Sequence, residues 1–442
     1  MIEVHCINVW LIKDQIPGWL QYLNGLVAPS FIMAAGYSLA LSTFRPDGSL
    51  RPFAPTGKRL AFILLCAYLL HAPGLTLAEW TVLATAQKYR ELFKIDVLQC
   101  IVFSLLILQG LARLIRRPMA YAGVALALAL AAAWAAPHLW RTGVADGLWL
   151  PIRGLFNGNP DRGVTALFPL FPWFAFAAFG SVLGALYRHL RVLSREGLAR
   201  WSELRWLAAL ALGGALLLAW GTWQTHTWLW NGPWPSSDAG RLHNTTLPSV
   251  AQRLGVICMA GSLLGWFEAV RGRWPGANPV LAASRESLLL YMLHLNLIFG
   301  LLLADPIRLR TGWDWYSLGW APTLTLTAVL IGLNLAAALA WQRVRQDPAR
   351  TLRLQRSAAL ALGVWFLAGG WITYHHFRRS PELATEPYGF LNAARVRKGL
   401  APTPDGLSRD PREGLREKLR LKGKLNIEDQ RLLESIRDRP RD

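Results

Sequence analysis

Residues 20–42 read LQYLNGLVAPSFIMAAGYSLALS, 23 positions without a single Asp, Glu, Lys or Arg. As an α-helix such a run is about 34 Å long, enough to cross the roughly 30 Å hydrocarbon core of a bilayer. A charge-free run of that length is expected to span a membrane. Working outward, further apolar runs separated by loop punctuation give eleven expected helices: 1–12, 20–42, 60–78, 93–112, 119–137, 165–187, 204–222, 248–270, 279–303, 319–341 and 357–374. With 53% hydrophobic residues and 22 tryptophans in 442, the bilayer is the natural solvent. The expected class is all-α: a polytopic bundle of about eleven transmembrane helices over 1–375, followed by a basic, polar tail at 376–442.

The net charge of +20 lies mainly in short loops between apolar runs, which excludes a nucleic-acid patch and matches the positive-inside pattern. The loops at 43–59, 112–118, 188–205, 271–278 and 342–356 carry +15 in all, and no loop of the alternate set exceeds +1. The basic set is therefore expected in the cytoplasm, which makes the amino terminus cytoplasmic and puts the tail outside if all eleven runs span. The tail holds 16 Lys or Arg and 11 Asp or Glu and is expected to be solvated, with short charged helices near its end. Cys6, Cys66, Cys100 and Cys258 lie in or beside apolar runs without C-x-x-C spacing, so neither a disulfide nor a metal site is expected.

Ionisable side chains at membrane depth are costly and usually face a functional interior. His5 lies in MIEVHCINVWL, about seven residues from Lys13, and His294 lies in SLLLYMLHLNLIFG, eleven residues before Asp305. Both fall in the outer half of the membrane. Asp96, near the start of the fourth run, could reach that layer, and a histidine held by a carboxylate can act as general base. The bland alternatives are buried histidines bonded to a neighbouring helix and a carboxylate at a helix start. In NGNPDRG, residues 157–163, Asp161 and Arg162 stand on a turn-rich outer approach, where a guanidinium can hold a carboxylate, phosphate or oxyanion. Pro169 and Pro172 then interrupt the next helix, and Gly180 and Gly184 form a GxxxG packing signal. The outer loop 223–247 sets His226 and Trp228 among further aromatic and polar residues, a mixture that suits either a sugar ring or an interfacial belt. On the cytoplasmic side Arg59 and Arg285 are candidates for the phosphates of a nucleotide-bearing donor. Arg285 and Glu286, set inside the ninth helix, could instead pair with each other or with backbone.

Five stretches taken together, MIEVHCIN, NGLVAPSFIMAAGYSLA, KIDVLQCIVFSLLIL, NPDRGVTALFPLFPWFAFAAFG and SLLLYMLH, resemble in content and order bacterial members of the heparan-alpha-glucosaminide N-acetyltransferase-like family. That family is more distantly similar to the acyltransferase-3 group. The resemblance implies acyl transfer, typically of acetyl from acetyl-CoA, to an amine or hydroxyl of a sugar or polysaccharide at the outer face of a bacterial cytoplasmic membrane, with no metal. It implies a buried catalytic histidine, and Asn24, Asp96, Gln99, Arg162 and His294 fall on its motif positions. In the animal enzyme the active-site histidine shortly precedes the segment resembling NGLVAPSF, a place taken here by Gly18, Trp19, Leu20 and Gln21. His5 is the expected replacement, since similar bacterial relatives carry a histidine in the first helix. Relatives also have an Arg-Gly-containing half-helix before the segment resembling MIEVH, so Met1 is expected to be an internal methionine. A transporter or flippase of a lipid-linked sugar or small metabolite is the alternative that the same polar interior permits.

Overall fold

The computed structural model describes residues 1–371 except 46, 75, 82–88, 90, 159–165, 194–198, 226–242, 272–278, 304–310, 312, 314 and 370. Its helices are α1 (Ile2–Trp10), α2 (Gly18–Thr43), α3 (Phe53–Leu69), α4 (Leu77–Thr81), α5 (Val97–Ile115), α6 (Pro118–Thr142), α7 (Leu150–Phe156), α8 (Leu170–Leu193), α9 (Ala199–Gln224), α10 (Leu247–Arg271), α11 (Pro279–Arg285), α12 (Ser287–Leu295), α13 (Trp320–Arg345) and α14 (Pro348–Val364). The protein is an all-α polytopic bundle. Among the described residues eight helices, α2, α3, α5, α6, α8, α9, α10 and α13, are long and apolar enough to cross a membrane.

The other three expected spans take different forms. The first is a nine-residue helix, about 14 Å long and too short to cross. The ninth is broken at Glu286, which leaves the helical region at φ −105°, ψ 28° and starts α12, and α12 then runs into a π-helical stretch over Asn296–Leu302. A local cause of the π stretch is visible: the side chains of His294 and Asn296 compete for the carbonyls of Leu290 and Met292, at 2.6 and 2.8 Å. The eleventh begins early, at Pro348, because Asp347 caps it by accepting from the Ala349 and Arg350 N–H groups at 2.9 and 3.1 Å. Its first half is therefore the arginine-bearing loop of the sequence reading. The third span also starts early, at Phe53. The tail at 376–442 lies outside the described residues.

The contacts divide the described chain into two units. The larger comprises residues 19–71 and 93–276. Its tightest seam joins α2 to α8. A Cβ on Gly36 would land on the Ala177 carbonyl oxygen and one on Gly180 on that of Met33, and Gly184 faces the Tyr37 carbonyl. The Arg188 guanidinium donates to Leu41 O at 2.7 Å. Residues 33, 37 and 41 thus meet 180, 184 and 188, a constant offset that sets the two helices parallel. A second glycine seam, Gly214 against Gly255 and Gly221 against Pro248, joins α9 to α10. Buried polar groups pair between helices: Gln109 donates to Thr43 Oγ1 at 2.6 Å and the Tyr121 hydroxyl to Ser181 Oγ at 3.0 Å. At the opposite end of the unit, Gln99 of α5 donates to Ala67 O of α3 at 3.2 Å. The break expected from Pro169 and Pro172 is present as a non-helical Phe171, and its carbonyl accepts from Trp140 Nε1 at 2.9 Å, so protein satisfies it.

The smaller unit gathers residues 1–18 with the described parts of 72–92 and 277–371. Here α1 packs Cys6, Val9 and Trp10 on Ile298 and Leu330. Its end is stitched to residues 316–318 by backbone bonds Tyr316 N to Val9 O, Leu318 N to Trp10 O and Ile12 N to Leu318 O, at 2.7, 2.8 and 2.9 Å. Glu286 is buried and pairs with Arg345 Nη1 at 2.6 Å, not with Arg285 as the sequence allowed. Adjacent helix residues do not face each other, so a partner from α13 takes the place. Arg345→Ala leaves a buried carboxylate without its partner and is expected to destabilise the protein by about 1–3 kcal/mol, with Glu286→Gln added to it restoring most of the loss. Thermal unfolding in detergent checks this, and additive losses would contradict it.

Candidate active site

The larger unit holds a histidine–carboxylate pair. Asp96 is the N-cap of α5: its side chain accepts from the Val97 N–H at 2.7 Å, and the Gln99 side chain accepts from the Asp96 N–H at 3.2 Å, a capping box. Because Gln99 also binds Ala67 O, the box is tied to the last turn of α3, and His71 follows that turn. His71 Nε2 lies 3.4 Å from Asp96 Oδ2. It is buried and off the line of a full hydrogen bond to any described group. Burial pushes the Asp96 carboxyl up, but the His71 ring, the Val97 N–H and the charge of Lys94 together hold it below the ordinary carboxylate range. A carboxylate only accepts, so closing this 3.4 Å gap into a hydrogen bond requires the proton on Nε2 and leaves the lone pair on Nδ1. This is the arrangement of an oriented general base.

The smaller unit holds a histidine pair. The rings of His5 and His294 are 5.3 Å apart, with Phe299 edge-on to His5 at 5.7 Å and Tyr291 edge-on to His294 at 5.6 Å. Nδ1 of His294 lies 2.6 Å from Leu290 O and must donate, since a carbonyl only accepts. Its Nε2 is then an acceptor, buried and without a hydrogen-bond partner among the described residues. The sequence expectation that His5 and His294 share a level is met by direct ring contact.

Asn24 is buried in α2 and its side-chain nitrogen has no partner among the described residues. Gln99 is fully enclosed and its amide is engaged by protein at both ends, which makes it a support for Asp96. Arg59 and Arg285 are exposed. Asp161, Arg162, His226 and Trp228 lie outside the described residues. All four cysteines are free and buried, and no group of three His, Cys, Asp or Glu among the described residues could hold a metal ion. His71, in LLHAPG, was not a candidate from the sequence. The expected run 60–78 put it inside a span, whereas α3 ends at Leu69 and leaves His71 at the same end of the bundle as Asp96.

The sequence pattern of the catalytic region of heparan-alpha-glucosaminide N-acetyltransferase matches residues 4–225, just over half of the chain. The chain belongs to the heparan-alpha-glucosaminide N-acetyltransferase family. The matched region includes His5, Asn24, His71, Asp96 and Gln99 and stops before His294. Neither a curated protein nor a solved structure matches the chain. Family membership makes the protein a membrane acetyltransferase by class.

Proposed function

We propose that this family member moves an acyl group, acetyl in the first instance, from acyl-CoA to an amine or hydroxyl of a sugar or polysaccharide at the outer face of a bacterial cytoplasmic membrane. The observation that carries the reading is the His71–Asp96 pair. His71 Nδ1 removes the acceptor proton as the acceptor attacks the thioester carbonyl. The C–S bond then breaks, and the imidazolium returns the proton to the CoA thiolate. Asp96 orients the ring and balances its transient charge. The loop-charge asymmetry supports entry of the donor on the cytoplasmic side, where Arg59 would meet its phosphates, and an outer acceptor site to which Asn24, Asp161, His226 and Trp228 would contribute. Arg162 would stabilise the developing oxyanion.

A second reading puts the base at His5, with His294 beside it, and the ring contact in the smaller unit favours it. One experiment separates the readings. Purified protein is given acetyl-CoA labelled in the acetyl group and a panel of amino sugars and polysaccharides. Label in the sugar with stoichiometric free CoA supports transfer, and intact CoA with unmodified sugar crossing vesicles would make the protein a transporter. Activity lost in His71→Ala and kept in His5→Ala assigns the base to His71; the reverse assigns it to His5.

A further inference from the structure

At one end of the larger unit, arginines gather where the acyl-transfer reading gives them no task. Arg113 lies in the last turn of α5. Its Nη1 donates to Gln109 O at 3.3 Å and to Gln109 Oε1, its Nη2 donates to Arg51 O at 3.3 Å, and its guanidinium lies 4.9 Å from the centre of the Phe53 ring. Arg51 is fixed through its backbone, since its N–H donates to Thr43 O at 2.9 Å. The Arg51 side chain is exposed and has no hydrogen-bond or ion-pair partner among the described residues. Arg188, bonded to Leu41 O, reaches the same end of α2, two residues or about 3 Å along the axis before Thr43.

Arginines at a helix end have a bland task, because its last carbonyls need donors. That task takes one nitrogen of Arg188 and the backbone of Arg51, whereas each guanidinium offers five N–H groups. Arg188 Nε is buried without an acceptor among the described residues. Asp47, the one acid in residues 43–59, accepts from Ser49 N and Oγ at 2.9 and 2.8 Å and forms an ion pair with none of the three. Donors outnumber acceptors, and the partner that completes the site is an anion with several oxygens, as a phosphate is. The adjacent surface says what carries that phosphate. Leu106, Ile107 and Leu114 of the membrane-spanning α5 are 37, 42 and 82% exposed, and Arg113 directly precedes Leu114. Ile107, Gly110 and Leu114 share one helix face, and a Cβ on Gly110 would meet nothing within 4 Å, so the face is dented. An apolar face open at membrane depth meets acyl chains.

We propose that Arg51 and Arg113 bind the phosphate of an anionic phospholipid whose acyl chains lie along Ile107, Gly110 and Leu114 of α5. The loop-charge asymmetry supports the cytoplasmic leaflet as its source. Acetyl-CoA carries phosphates too, but it has no long chain to lay on this face. The site stands apart from the acyl-transfer reading and does not depend on it.

The test is native mass spectrometry of the full chain in detergent, titrated with phosphatidylglycerol and with phosphatidylcholine of the same chain length. Phosphatidylglycerol is expected to bind at least about tenfold tighter. Arg51→Gln, which leaves the backbone bonds in place, should lower that preference several-fold, and adding Arg113→Gln should bring it near unity. Arg113→Lys should keep part of it, because lysine retains the charge but not the fork. Arg350→Gln with Arg353→Gln removes as much charge from α14 and should leave the preference unchanged. Equal binding of the two lipids to the unaltered protein overturns the proposal, as does a preference that Arg51→Gln leaves untouched or that the α14 variant loses equally. If equimolar inorganic phosphate or acetyl-CoA displaces the phosphatidylglycerol, the site belongs to a soluble phosphate and the proposal falls.

Discussion

Replacing His71 by alanine lowers kcat for acyl transfer about 100- to 10,000-fold, the range that removal of one general base produces. The KM for acyl-CoA stays within about twofold, because the imidazole acts in the transition state and not in holding the donor. Asp96→Asn is the informative companion. Asparagine is as good an N-cap as aspartate, so α5 keeps its start while the ring loses its negative neighbour. That variant is expected to lose tenfold or more in kcat, with its folded stability at neutral pH lowered by the contribution of the ionised carboxylate. The pH behaviour follows from the depressed Asp96 carboxyl. A carboxyl lowered by folding contributes stability above its unfolded value, near 3.9, and loses that contribution only as acid approaches the folded one. At neutral pH Asp96 is therefore ionised. Full activity in His71→Ala would place the base elsewhere.

Helix length and apolarity carried most of the fold because a bilayer imposes both at once. LQYLNGLVAPSFIMAAGYSLALS has one structural outcome in hydrocarbon, and α2 follows its bounds within two residues. The divergences lie where side chains compete with the backbone. In SRESLLLYMLHLNLIFG the apolar content is that of a span, yet Glu286 turns to Arg345 and the His294 and Asn296 side chains crowd the carbonyls behind them. Apolar counting does not register that competition. The same limit explains Pro348: arginines in the loop conceal a helix start that Asp347 caps.

The site was legible residue by residue and not pair by pair. His5, Asp96 and His294 stand out as ionisable groups near or within apolar runs, and His5 with His294 do meet. His71 does not stand out, because the apolar run is read on to residue 78, past the end of α3 at Leu69. Its pairing with Asp96 depends on the Gln99–Ala67 bond between two helix ends that are thirty-two residues apart in sequence.

Adding one methyl group at Gly180 is expected to damage the larger unit more than most other single-carbon changes, because the new Cβ would sit on the Met33 carbonyl oxygen. Backbone cannot swing aside as a side chain can, so α2 and α8 must separate along a seam that also includes Gly36 against Ala177 and Gly184 against Tyr37. Overpacking typically costs about 1–3 kcal/mol, and rigid backbone puts Gly180→Ala at the upper end, with Gly180→Leu beyond what the bundle can absorb. Small residues at such seams are what let helices approach in lipid, where no hydrophobic force drives them together. Gly110 is the internal control: it lies in α5, and a Cβ there meets nothing within 4 Å. Gly110→Ala should be neutral or slightly stabilising, by up to about 1 kcal/mol, since alanine is the better helix former. Gly213 and Gly214 repeat the contrast one residue apart, the first open and the second 2.8 Å from the Gly255 carbonyl oxygen. Melting temperatures of the four alanine variants in one detergent should therefore fall into two groups, Gly180 and Gly214 low, Gly110 and Gly213 at or above the parent. If Gly180→Ala melts with Gly110→Ala, α2 and α8 are not in backbone contact, and the parallel register of the two helices fails with it.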